Sequence, residues 1–275
     1  MAKKYEDYSV LMSVYGKEKP EFLRESMQSV YDQTVPTNDF VLICDGPLTD
    51  ELDSVISEMQ KKFGKRLRVI RQKKNMGLGY SLNHGVKECK NDLIARMDSD
   101  DISVRDRIEK QFIAFEKKGA DVVGGNIVEY DEKMKKITGR RIVPEHHDDI
   151  VKRMKKRNAM NHVTVMYKKG AVIDAGSYVD MPGFEDYYLW IRMIRGNKSF
   201  YNVQHSLVKV RCGSGMICRR GGLDYIKNVK KFEKVLYESG FISRGRYFLN
   251  TSERIFVSII PNSVRTVIYG KLLRK

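Results

Sequence analysis

Four short, nearly unbroken apolar runs alternate with segments whose apolar residues recur every three or four positions. No other feature constrains the fold as tightly. YSVLMSVY (8–15), DFVLICDG (39–46), RLRVIRQ (66–72) and DLIARMD (92–98) read as strands. Between them, Phe22, Leu23, Met27, Val30 and Tyr31 share one helical face behind Pro20. Leu52, Val55, Ile56, Met59 and Phe63 share another, with Pro47 suited to an early helical position, and Leu82, Val86 and Cys89 a third. Strands without polar alternation, separated by amphipathic helices, predict an α/β fold: a mostly parallel sheet covered on both faces. The second half is less regular. Strands are predicted over 121–131, 162–169 and, in two short pieces, 199–211, with helices over 104–118 and 184–196. From Leu223 onward the pattern is helical, broken at Pro261.

In open parallel α/β sheets, ligands bind at the carboxyl ends of the strands. Here those ends are Ser13-Val14-Tyr15, Asp45-Gly46, the turn Asn75-Met76-Gly77 and Asp98-Ser99-Asp100-Asp101. Asp-Gly and Asn-x-Gly are ordinary turn chemistry one at a time. Four polar ends on one sheet edge describe a pocket. Three carboxylates in four positions repel unless a cation lies among them. Mg²⁺ and Mn²⁺ take such hard oxygen ligands together with substrate phosphates. Asp101 is also a candidate helix cap.

The chain carries 51 Lys and Arg against 35 Asp and Glu, a net charge of +16. That excess favours an anionic partner: nucleic acid, an anionic membrane or a phosphorylated substrate. Cys44, Cys89, Cys212 and Cys218 lack paired spacing, which argues against a zinc site or disulfide framework and fits a reducing cytosol. The first ten residues are too polar for a signal peptide, and no apolar run of spanning length occurs.

Taken in order, SVLMSVY, VLICDGPLTDEL, KNMGLGYSLNHGV, LIARMDSDDI, NHVTVMYKK, GFEDYYLW and VRCGSG resemble family 2 glycosyltransferases of the GT-A fold. The likeness is greatest to the bacterial enzymes that build capsule, exopolysaccharide and O-antigen repeat units, and it covers roughly residues 8–215. The resemblance implies a Rossmann-like GT-A catalytic domain over 1–221. Residues 1–110 would bind the nucleotide-sugar and residues 111–221 the acceptor; beyond the resemblance, the residue pattern over 222–275 predicts a basic amphipathic helical tail. It further implies a metal-dependent, inverting hexosyl transfer from a UDP-sugar, with Mn²⁺ or Mg²⁺, to a saccharide acceptor linked to a polyprenyl diphosphate.

The same resemblance distributes roles. Ser13, Val14, Tyr15 and Asp45 would line the nucleotide pocket. Asn75, Gly77, Ser81 and Asn83 would shape the wall near ribose and diphosphate. Arg96 would pair with the acids or with donor oxygens. Asp98 and Asp100, with Ser99 between them, match the DxD motif, Asp98 toward ribose and metal and Asp100 on the metal. Glu185 and Asp186 match the ED motif, with Asp186 favoured as the base. An inverting transfer needs such a carboxylate on the face opposite the leaving group. His162 matches a position of acceptor contact or extra metal ligation. Trp190 is core or acceptor-pocket wall. Arg211, beside Gly213-Ser214, matches a loop over the donor diphosphate. Cys212 and Gly213 stand where the family often has a His, which puts a metal role for that loop in doubt.

Residues 252–275 mix Ile255, Phe256, Ile259, Ile260, Val267 and Leu272 with Arg254, Arg265, Lys271, Arg274 and Lys275. The pattern suits an interfacial helix on an anionic membrane, the cytoplasmic face of the cell membrane in this reading. A helix packed on the domain and a dimer contact fit as well. Competing enzyme classes fare worse. A haloacid-dehalogenase-like phosphatase wants its acidic strand early, yet three strands precede this one. A nucleotidyltransferase wants a basic triphosphate loop after the first strand, and SVYGKEKPEF is a weak match. GLGYSLNHG lacks the dinucleotide GxGxxG spacing. A nucleic-acid binder leaves the strand-end acids unexplained, so no nucleic acid is expected.

Overall fold

The computed structural model describes residues 5–213 and 222–260. Strands β1 (Tyr8–Val14), β2 (Asp39–Cys44), β3 (Leu67–Arg71) and β4 (Leu93–Asp98) pair in parallel. Helices α1 (Pro20–Tyr31), α2 (Asp50–Phe63) and α3 (Leu78–Glu88) make the crossovers. Then follow β5 (Ile102–Ser103), α4 (Arg107–Lys118), β6 (Val122–Asp131), β7 (Ile137–Arg141), α5 (His147–Met154), β8 (Met166–Lys168), α6 (Lys169–Asp174), α7 (Glu185–Arg195) and β9 (Phe200–Cys212). Two helices, α8 (Leu223–Glu238) and α9 (Arg244–Ile259), come last. The sheet order is β3-β2-β1-β4-β8-β6-β9-β5, with β7 on β6.

Period-2 alternation within fully buried strands sorts side chains to two cores. Val10, Met12, Val14, Phe40, Leu42 and Cys44 face α1 and α2. Leu11, Val41 and Ile43 face α3, and the core on that side continues through α5, α7 and α8. Gly85 is where α3 meets the sheet. A Cβ there would stand 2.2 Å from Leu11 Cδ1 and 3.1 Å from Ile43 Cγ1.

The second half departs from the expected strands. The 162–169 segment is a strand only at its end: His162–Thr164 form a 3-10 turn, and Lys169 already opens α6. β8 runs antiparallel to both β4 and β6, so the sheet is mixed there. The two pieces expected over 199–211 are one strand, whose register against β6 shifts around Asn126. α2 begins at Asp50 behind a Thr49 cap, so Pro47 stays in the preceding loop. β5, β7, α5 and α6 were not legible as separate elements: they are short or polar, and packing rather than pattern specifies them.

The C-terminal helices turn at Gly240, where φ is 72°. They join the core: the Phe232 and Phe184 rings stack at 4.4 Å, and Arg254 pairs with the buried Glu233 at 2.8 Å. The residues expected beyond the Pro261 break, like Ser214, lie outside the described residues.

Replacing Gly85 by Ala forces α3 off the sheet. The overpacking cost, about 1–3 kcal/mol, exceeds the gain of up to ~1 kcal/mol in helix propensity. The thermal midpoint of Gly85→Ala should therefore fall; an unchanged or higher midpoint would refute this account of the α3 contact.

Candidate functional site

The carboxyl ends of β1, β2 and β4 lie side by side. Ser13 is in register with Asp98 on one side and Ile43 on the other. The Asp45 amide donates to the Val14 carbonyl at 2.8 Å. Asp45 itself is buried, and its carboxylate accepts the amides of Met76 (2.7 Å) and Gly77 (3.0 Å). It therefore staples the turn after β3 against the end of β2. Gly46 permits that closeness, with φ at 89° and its missing Cβ 2.6 Å from the Asn75 amide nitrogen. Tyr15 and Asn75 are exposed at the mouth, whereas Ser81 is fully buried beneath Gln72 and Asn83 half-buried on α3.

The acids form a compact group. One oxygen from each of Asp98, Asp100 and Asp101 lies within 4.8 Å of the others. Arg96, only 2% exposed, grips both oxygens of Asp98, with Nη1 at 2.6 Å from Oδ2. Ser26 Oγ donates to the Asp98 carbonyl and Ser99 Oγ to Glu18, each at 2.6 Å. Asp101 is buried and accepts the Arg211 amide at 2.8 Å. The Arg211 guanidinium donates to the carbonyls of Asp100 (2.9 Å) and Glu132 (2.6 Å) and to Glu25, and lies 3.9 Å from the Phe22 ring centre. It braces the acidic turn from behind. Burial, then the charges of Asp98 and Glu18, push Asp100 up to about 7. Burial and the neighbouring acids likewise raise Asp101.

Hard oxygen donors this close, with Asp100 raised by burial and by its acidic neighbours, fit a small divalent cation. Asp98 and Asp100 are the two with access, because Asp101 is buried against Arg211. His162 does not join them. It sits on its own 3-10 turn with Nε2 2.9 Å from the Tyr178 hydroxyl. Burial and the nearby Arg96 charge hold it well below its usual pKa, so it is neutral. Trp190 is wholly buried, its ring 6.0 Å from that of His162. It takes the core alternative and supports His162 from behind.

Helix α7 opens with Glu185 and Asp186 in its first turn. Asp186 Oδ2 accepts from Asn158 Nδ2 at 2.7 Å, and burial raises its pKa. Burial raises Glu185 too; its Cγ lies 3.1 Å from where a Cβ of Gly79 on α3 would stand. Arg96 connects the two acid groups: its charge acts on Asp186 as well as on Asp98. Glu18, Asn158, Tyr178 and Arg141, which donates to the Asn158 carbonyl at 2.8 Å, complete the site and were missed in the sequence. Only Glu18 had a signal, its place in the loop after the first strand.

The family described as Glycosyl transferase family 2 matches residues 9–226. The chain is 36% identical to the amylovoran biosynthesis glycosyltransferase AmsE of Erwinia amylovora, covering 96% of this chain and 98% of that one. It is 34% identical to the UDP-Gal:alpha-D-GlcNAc-diphosphoundecaprenol beta-1,3-galactosyltransferase of Escherichia coli, covering 98% and 97%. Among solved structures, S. aureus TarS 1-349 in complex with UDP-GlcNAc superposes with a TM-score of 0.65 at 16% identity, over 84% of this chain and 67% of that one. The mannosyltransferase PcManGT from Pyrobaculum calidifontis, in complex with GDP-Man and Mn²⁺, gives 0.62 at 10% identity, over 96% and 75%. These two likenesses carry the fold.

Asp100 sets a pH dependence. Its ordinary pKa of 3.8 becomes about 7 in the fold, so its ionisation is disfavoured there. The folded state binds the extra proton between those values, and metal-free stability falls as pH rises through that window. Asp100→Asn should raise the metal-free thermal midpoint at pH 8, by about 2–4 °C per kcal/mol relieved. It should also remove the stabilisation by Mn²⁺, which in the wild type grows between pH 6 and pH 8. A Mn²⁺ shift that survives in Asp100→Asn would place the metal elsewhere.

Proposed function

The chain is a glycosyltransferase that belongs to family 2, and from that premise we propose a metal-dependent, inverting transfer from a UDP-sugar to a lipid-linked saccharide in bacterial surface polysaccharide synthesis. One observation carries the proposal: the buried Arg96 guanidinium pairs with both oxygens of Asp98, and its charge acts on Asp100 and Asp186 as well. Two acidic groups that share the influence of one cation suit a leaving group at one and a proton acceptor at the other. The name of the Escherichia coli relative supports the UDP-sugar and the diphosphoundecaprenol-linked acceptor, and that of AmsE supports a polysaccharide product.

In this reading Ser13, Val14, Tyr15 and Asp45 wall the nucleoside, with the exposed Tyr15 ring free to lie against the base. Asn75 and Gly77 close the ribose side through the Asp45 staple. Asp98 and Asp100 would hold Mn²⁺ or Mg²⁺, which when bound neutralises charge on the leaving diphosphate. Arg96 fixes Asp98 in one orientation, and Arg211 fixes the turn that carries Asp100. Asp186 takes the proton of the acceptor hydroxyl as its oxygen attacks the anomeric carbon. The new C–O bond forms as the bond to the diphosphate breaks on the opposite face. Burial, by raising the Asp186 pKa, makes it a stronger proton acceptor than a surface aspartate. His162 faces the acceptor side as a neutral hydrogen-bonding group.

Asp186→Asn keeps the hydrogen-bonding shape and loses the base. Turnover should fall about 10²–10⁴-fold, while the thermal shift by UDP with Mn²⁺ stays at the wild-type value. Undiminished turnover would eliminate Asp186 as the base, and no shift with UDP in the wild type would eliminate the donor.

A membrane-bound acceptor requires access to a membrane. Among the described residues, no helix is long and apolar enough to cross one. Helix α9 nevertheless exposes Phe248, Leu249, Phe256 and Ile259, with exposures of 55–69%. Arg244 lies alongside, 5.9 Å from the Phe248 ring centre. These features support a peripheral place on the cytoplasmic face of the membrane. Phe248→Ser/Phe256→Ser should lose most co-sedimentation with anionic liposomes at low salt. Equal sedimentation of variant and wild type would remove α9 from the interface.

A further inference from the structure

A second built feature adjoins the base. Residues 152–157 carry five cations, Lys152, Arg153, Lys155, Lys156 and Arg157, and all but Arg153 are exposed. Among the described residues, none of the five pairs with a carboxylate; Arg153 makes one long contact to the Ile142 carbonyl at 3.4 Å. Surface lysines alone would signify little, but this backbone is held in place. Three consecutive carbonyls are taken by side-chain donors: Met154 by the buried Tyr187 hydroxyl (2.6 Å), Lys155 by the buried Asn250 (3.0 Å) and Lys156 by the half-buried Arg254 (3.2 Å). Asn250 and Arg254 are fixed in turn by the fully buried Glu233. Like charges crowd the segment, and the pKa of Arg153 is lowered by burial and by Arg157. The fold thus assembles unpaired positive charge on a rigid backbone and leaves it facing solvent.

The position gives the segment its meaning. Asn158, the next residue, hydrogen-bonds Asp186, and its carbonyl accepts from Arg141. Tyr187, which follows Asp186, holds the Met154 carbonyl and feels the Arg157 charge. The base and the cationic segment are therefore tied together at two points. We propose that Lys155, Lys156 and Arg157 bind the diphosphate of the acceptor and so place its sugar hydroxyl on Asp186. The inference rests on the lipid-diphosphate acceptor proposed above. In such an acceptor the diphosphate sits next to the first sugar, as Arg157 sits next to Asn158. Guanidinium and ammonium groups suit phosphate oxygens, with the guanidinium able to bind two at once.

The test uses the full chain and geranyl diphosphate, an isoprenoid diphosphate without sugar, titrated in EDTA so that no metal can recruit it to the donor site. Wild type should bind it, and geraniol not. Lys155→Ala/Lys156→Ala/Arg157→Ala should weaken binding by at least about tenfold, the size of one charge-assisted contact. The charge-retaining Lys155→Arg/Lys156→Arg/Arg157→Lys should bind as wild type does. Both variants should keep the wild-type thermal midpoint and UDP–Mn²⁺ shift, so failure of the donor reading is seen separately. Equal binding by the alanine variant, or no binding by wild type, overturns the inference. So does a loss confined to phosphatidylglycerol vesicles, which would make the segment a headgroup contact.

Discussion

The site depends on the ion pair between Arg96 and Asp98. An arginine that is nearly inaccessible at the end of a central strand is costly unless paired. Here the pair is bidentate, which fixes the direction as well as the charge of Asp98. Because the same guanidinium acts on Asp186 and His162, it also sets the electrostatic relation between the two halves of the site. It adds to the burial that keeps His162 neutral, and it favours the charged form of Asp186 against the burial that raises its pKa. A second buried arginine, Arg107, lies under the same strand and donates to the Arg96 carbonyl at 2.8 Å. The polar support of the acidic strand therefore runs two layers deep.

The sheet is divided in a way that matches this division of labour. β3, β2, β1 and β4 are parallel and end at one edge, where the turn after β3 is stapled to the end of β2 and the acidic turn follows β4. β8 reverses direction, and from there the strands are short, mixed or bulged. The side chains around Asp186 come from α7, from the turn before β8 and from the end of the antiparallel β7, not from the parallel strands' edge. A regular half presents the first acid group and an irregular half the second.

This division also governs what the amino-acid sequence revealed. The first four strands and three crossover helices were legible because β1, β2 and β4 are buried on both faces, leaving runs too apolar to mistake, and the half-buried edge strand β3 keeps the same alternation with helices. Asp98, Asp100 and Asp186 were legible because carboxylates beside apolar runs are conspicuous. Asn158 and Arg141 were not. They act through hydrogen bonds between segments distant in sequence, and neither stands in a pattern. The resemblance places Asp45 at the nucleotide; that it also staples the 75–77 turn to the end of the second strand needed three-dimensional contacts to see. Arg211 was expected to face a diphosphate; its guanidinium is engaged with Glu25, Glu132, Asp100 and Phe22, contacts up to 186 residues apart in sequence. Trp190 was visible only as an ambiguous aromatic, because burial depends on what packs around it.

The most direct measurement is a crystal structure of the wild type grown with UDP and Mn²⁺, with the metal located by its anomalous scattering. The account expects one strong peak bridging Asp98, Asp100 and the UDP diphosphate, with Arg96 still on Asp98 and the Asp186 carboxylate open on the far side of the donor. A peak away from Asp98 and Asp100, or UDP bound with its diphosphate remote from them, would contradict it.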